Sequence, residues 1–143
     1  MAKHAIDFRA WVTGGSETSG LNGSWVPTEA WLSGVLLPRD VLAALTLRVE
    51  SGRFALGEDE GTIAVNRMVS PAAMDVVATR GPNRGRFVPA IFEHAGGMLR
   101  ICYDLSGRQR PHDFTAPLGT RRFLATYRRV GPRPVRYAPV TSM

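Results

Sequence analysis

The sequence predicts an all-β protein: an eight-stranded antiparallel barrel with one short helix after the first strand. Three observations carry that prediction. Turn-forming residues recur at short, regular intervals, as they do in all-β sandwiches and barrels. The stretches between them alternate apolar and polar residues. A single segment, Pro38–Leu45, has the Pro start and Ala/Leu content of a helix.

In chain order, Asn22-Gly23 opens the first strand, over about 23–32. The helix follows. Ser51-Gly52 then separates strands at about 45–50 and 53–57, and Gly57 to Gly61 leads into a strand at about 61–66. A fifth strand spans about 73–79. Gly81-Pro82-Asn83-Arg84-Gly85 and Ala95-Gly96-Gly97 bracket a sixth at about 86–94; the last two fall at about 97–105 and 121–129. Residues 1–21, rich in Gly, Ser and Thr, read as a flexible lead-in, the barrel as 22–130, and 131–143, with Pro132, Pro134 and Pro139, as an extended tail. Eight strands suffice to close a barrel that either fills with side chains or holds one small ligand. Neither βαβ alternation nor a glycine-rich phosphate loop is present, which argues against a nucleotide-binding α/β fold.

Alternation gives one clear face. Leu99, Ile101, Tyr103 and Leu105 share a side and are expected inside, with Arg100 and Cys102 outside. The sixth strand is apolar on both faces, so period alone does not orient it, and it reads as a strand covered on both sides.

Bulk properties narrow the function classes. At 143 residues the chain can bury a core without staples, and its single cysteine, Cys102, excludes an intramolecular disulfide framework. No stretch approaches the roughly 20 apolar residues of a membrane span, and the first residues lack a secretory apolar segment; both point to the cytoplasm. The net charge of +6 could suit nucleic acid, but the six arginines from Arg121 to Arg136 read as a solvated basic end on a neutral body. The three histidines, His4, His94 and His112, have no metal-ligand spacing. No metal and no cofactor are expected, and the chain is expected to be a monomer or homodimer.

From Gly23-Ser24-Trp25 onward the chain resembles the lipocalins. There a Gly-x-Trp begins the first strand, the tryptophan closes one end of the barrel, and an arginine ending the last strand packs across it. The resemblance implies that role for Trp25 and Arg128, with Arg129 the alternative. The chain also resembles a family of small bacterial lipocalin-like domains through Pro71-Ala72-Ala73-Met74-Asp75, Ala90-Ile91-Phe92-Glu93, Leu99-Arg100-Ile101-Cys102, Arg110-Pro111-His112-Asp113-Phe114 and Tyr127-Arg128. These motifs run in the family's order over roughly 21–130. Ala90 and Phe92 replace a Gly and a Tyr of the family's pattern. The resemblance implies a barrel and assigns no activity.

Each cluster has a chemical and a structural reading. His112 could be a general acid/base oriented by a carboxylate. The favoured alternative is structural: Arg110 and Pro111 brace the fold, Arg110 pairs with Asp75 or Asp113, and Phe114 plugs the barrel end. Cys102 reads as an inert buried thiol. Trp31, Phe54, Met74, Phe92, Tyr103 and Tyr127 are expected to line an interior site, with Glu29 and Arg48 as further polar members.

The leading expectation is a barrel that binds a small, largely apolar molecule. The alternative is a cofactor-independent enzyme that promotes cyclisation or isomerisation of a biosynthetic intermediate, with His112, Tyr103 and Glu29 as candidate catalytic groups. A third is a solid barrel that binds an acidic protein partner.

Overall fold

The structure, a computed structural model, describes residues 16–130. The expected tail and most of the expected lead-in lie outside the described residues. A 3-10 turn, Ser16–Leu21, precedes strands β1 (Gly23–Leu32) and β2 (Val35–Leu36). Helix α1 (Arg39–Ala43) follows, then β3 (Leu47–Glu50), β4 (Arg53–Leu56), β5 (Asp59–Asn66) and β6 (Ala72–Arg80). β7 (Phe87–Ala95), β8 (Met98–Asp104) and β9 (Arg122–Arg129) complete the chain. Apart from the two-residue β2, which lies beside β1 outside the ring, the strands pair antiparallel in sequence order. β9 returns to pair with β1, closing an eight-stranded barrel with one short helix near its N-terminal strand. The architecture is consistent with a lipocalin-like fold.

Local chemistry explains the elements. Ser33 (φ 51°) and Gly34 (φ 84°) make one two-residue hairpin turn, and Ser51 (φ 49°) and Gly52 (φ 82°) another. Two successive positive φ values match the right-handed twist of the flanking strands. The first of these turns creates β2, which the sequence reading did not include. Pro38 stands at the N-cap of α1 rather than within it, and its carbonyl accepts from the N–H groups of Val41 and Leu42.

The barrel interior follows the two-residue period. Leu47 and Val49, Ile63 and Val65, Leu99, Ile101 and Tyr103, and Phe123, Ala125 and Tyr127 all belong to one core, as expected for β8. β7 turns Ala90 and Phe92 into that core, while Pro89 and Ile91 on its other face are buried too.

What covers that outer face is the segment 105–121. Arg110 holds it down, donating from Nη1 to the carbonyls of Met74 (3.0 Å) and Ala90 (3.1 Å) and from Nη2 to Asp75 (2.8 Å). Pro111 and Ala116 of the strap are buried against the wall, and Cys102 Sγ donates to the Thr115 carbonyl. Burial pushes the Cys102 thiol up to about 11 despite nearby Arg122, so it stays protonated and inert. Phe114 does not plug the barrel: it lies outside, with the Arg100 guanidinium 4.4 Å from its ring centre. The reason is that 105–121 runs over the wall of the barrel and not across its mouth.

Asp104 anchors the start of the strap. Its carboxylate accepts from the backbone N–H groups of Ser106, Arg108 and Gln109 and from the Ser106 hydroxyl. Burial, the largest single influence, raises its pKa, but these donors together leave it below the usual carboxylate value. A carboxyl depressed on folding stabilises the protein above its unfolded pKa, and loses that effect as pH falls through the folded value. Asp104→Asn should therefore cost about 1–3 kcal/mol at pH 7. The gap from the parent protein in chemical denaturation should shrink once pH falls below about 3.8, as the parent's carboxyl takes up its proton.

Candidate functional site

The two ends of the barrel differ. At one end, the turn Ser16–Leu21 packs against β3 and β5, with Thr18 and Leu21 buried. Trp25 Nε1 donates to the Leu21 carbonyl (2.8 Å). The Arg129 guanidinium stands 4.3 Å from the Trp25 ring centre and donates to the carbonyls of Asn22 (2.6 Å) and Gly20 (3.0 Å). His94 meets the edge of Trp25 in a T-shaped contact at 5.6 Å.

The arginine over Trp25 is thus Arg129; Arg128 faces outward. Antiparallel partners share a face, and Trp25 pairs with Arg129 whereas Val26 pairs with Arg128. Gly23 completes the arrangement: at φ +130°, a Cβ there would meet Arg129 Nη1 at 2.9 Å. The Gly-x-Trp spacing leaves room for the guanidinium that covers the indole.

Above this clamp the barrel is filled. Trp25, Phe92, Met74, Leu99, Ile101, Ala125 and Tyr127 are each at most 1% exposed, so no water-sized void borders them. Met74 and Phe92, expected along a ligand cavity, belong to this filled half. Midway up, the Tyr103 and Tyr127 hydroxyls meet at 2.7 Å, and Tyr103 stacks on Phe123 at 5.3 Å. Burial raises both phenol pKa values, so both stay protonated at neutral pH. Two hydroxyls sharing one hydrogen bond leave a second O–H, for which the described residues supply no further acceptor.

At the opposite end, half-buried apolar side chains cluster at the barrel mouth, hereafter the cup. Leu32, Leu37, Leu45, Leu56, Val76, Val88 and Leu105 pack against the core yet remain half-buried, and nearly all half-buried core neighbours gather there, the small Ala72 excepted. Phe123 (8% exposed) lies beneath them and Leu42 brings α1 onto the rim, whereas Phe54 (7%), level with Val49 and Gly23, lies toward the Trp25 end. The cup has an aliphatic lining and a phenol pair below it, which suits an apolar molecule with few polar groups.

Of the other candidates, Trp31 lies on the outer face of β1, its Nε1 donating to Glu29 (2.6 Å). Both are exposed and neither enters the barrel. The reason is a β-bulge: Pro27 pairs with Tyr127 and Glu29 with Thr126, leaving Thr28 as an extra residue that inverts the faces beyond it. Counting by twos from Trp25 puts Trp31 inside; the extra residue puts it outside. Arg48 is also exposed. His112 sits on the strap with a largely exposed side chain, 3.9 Å from Asp113 and 3.4 Å from Arg122 Nη2. The structure does not bring it to Tyr103 or Glu29. Among the described residues no group of three His, Cys, Asp or Glu side chains could hold a metal ion, and no helix is long and apolar enough to cross a membrane.

Arg129→Ala should cost about 2–4 kcal/mol, since two carbonyls and an indole face lose their partner, and should lower Tm clearly. Arg128→Ala should change stability by no more than about 0.5 kcal/mol. Equal Tm losses in the two variants would show that the clamp is misassigned. Compared with models of protein families, with curated proteins and with solved structures, the chain matches none.

Proposed function

We propose that this protein binds a small, largely apolar molecule, which enters the barrel at the α1 end and rests in the aliphatic cup. The observation that carries the reading is the asymmetry of burial. Inward-facing side chains are sealed at the Trp25 end, while Leu32, Leu37, Leu45, Leu56, Val76, Val88 and Leu105 keep surface open to solvent at the other. Each open square ångström of apolar surface withdrawn from water stabilises a complex by roughly 25 cal/mol. A ligand that covers the cup gains this energy without disturbing the filled half. Entry from that side also leaves the Trp25–Arg129 clamp untouched.

The second reading, cofactor-independent cyclisation or isomerisation of such a molecule, draws support from the phenol pair. A hydroxyl donor held in an apolar surround is the type of group that stabilises charge developing on a carbonyl oxygen. It requires neither metal nor covalent intermediate. Tyr103 is the residue this reading favours, since it stacks beside Phe123 under the cup.

The neutral fluorophore N-phenyl-1-naphthylamine should brighten on binding to the wild-type protein. Val88→Asp and Leu105→Asp should each weaken that binding at least tenfold, whereas Met68→Asp, at the closed end and 91% exposed, should not. Unchanged binding in both cup variants, with circular dichroism confirming folded protein, would overturn the proposal. For the second reading, turnover of a candidate substrate should be lost in Tyr103→Phe while fluorophore binding persists; binding without turnover across candidate substrates would reject it.

A further inference from the structure

Outside the barrel, α1 and the β1–β2 hairpin enclose a groove of about 760 Å³ against the outer face of β1. This volume falls within the range of small-molecule sites. Its apolar lining includes Trp31, Leu36 and Leu42, and three charged side chains border it: Glu29, Arg39 and Arg128. We propose that this groove binds a small amphiphilic carboxylate, with an apolar body along Trp31 and Leu36 and a single carboxylate between the two arginines.

The charges single out this class. Glu29 is already engaged, accepting the Trp31 indole N–H at 2.6 Å, which fixes the indole against the sheet. Arg39 and Arg128 have no hydrogen-bond or ion-pair partner among the described residues, so their donors face solvent at the groove. Two guanidinium groups and one carboxylate leave a net charge of +1, which matches a monoanion better than a dianion such as a phosphate monoester. Guanidinium groups present paired donors that suit carboxylate oxygens.

The apolar wall has its own basis in the fold. Trp31 pairs directly with Leu36 across the β1–β2 hairpin, and both remain exposed, at 36% and 52%. A solvated indole beside an exposed leucine is a favourable surface for an alkyl or aryl body. The bulge at Thr28 makes this possible, because it places Trp31 on the outer face.

The groove lies on the outer side of Leu37 and Leu42, which it shares with the rim of the cup, and the test keeps the two sites apart. Octanoate and octanol are titrated into the protein at pH 7.5, with the Trp31 indole N–H followed by NMR. Octanoate should shift that resonance and bind more tightly than octanol. Arg39→Gln and Arg128→Gln should each weaken octanoate about 3- to 10-fold, the scale of a partly exposed charge contact, while leaving octanol unchanged. Leu36→Glu should abolish the Trp31 response to both ligands, and Leu105→Asp, in the cup, should leave that response intact. Equal affinity for octanoate and octanol in the wild type, or arginine variants that bind octanoate as well as the parent, would overturn the proposal. So would loss of the Trp31 response in Leu105→Asp. Failure of the neutral fluorophore to enter the cup would leave these outcomes unaffected.

Discussion

The pairing of β9 with β1 is the contact on which the rest of the structure depends. Until those strands meet, the sheet has two open edges, and its inner face has nothing to pack against but itself. Closure turns one continuous antiparallel sheet into a vessel, satisfies the backbone groups at both edges, and brings Trp25 opposite Arg129. The guanidinium then secures the seam twice, over the indole and onto the carbonyls of Gly20 and Asn22. Residues far apart in sequence thus meet at the one place where an open sheet would otherwise fail.

Around that seam the molecule is layered unequally. Inside are the aromatic rings and aliphatics of the closed half. Outside, the strap 105–121 adds a smaller buried layer over β6 to β9, fixed by Arg110 to strand carbonyls and by Asp104 at its root. The Arg110-Pro111 motif is therefore a fastening of strap to wall. It lies on the outer face of the wall, where the polar groups around it bond to strand carbonyls and to one another. The polar groups with chemical reach are few: a phenol pair inside, and two arginines beside a tryptophan outside.

Much of the frame was legible from residue order. Turn chemistry is local: Ser51-Gly52 and Ala95-Gly96-Gly97 bend the chain for reasons contained in a few residues, so strand positions could be read closely. The inner face of β8 was also legible, since Leu99, Ile101 and Tyr103 alternate with polar neighbours. Other features depended on distant partners. Whether Arg128 or Arg129 covers Trp25 is a question of parity between two strands, and parity is set by cross-strand register. Trp31 and Glu29 were misplaced because counting by twos passed over Pro27, a residue that sheets confine to edges and bulges, and the extra residue Thr28 shows itself only in the pairing with β9. The cup was hidden for a related reason: leucines and valines read alike whether sealed or half-open, and the difference depends on where the strands end.

The bulge at Thr28 divides β1 into two segments with different obligations. Upstream, Gly23 and Trp25 are bound to Arg129 and to the closure of the barrel. Downstream, the inverted phase gives Glu29 and Trp31 to the outer surface while Ala30 keeps to the core. Residues a few positions apart in one strand thus answer to separate constraints. The outward set can diverge among descendants of this chain without weakening the seam, so one barrel can retain its frame while its exposed face takes on new specificities.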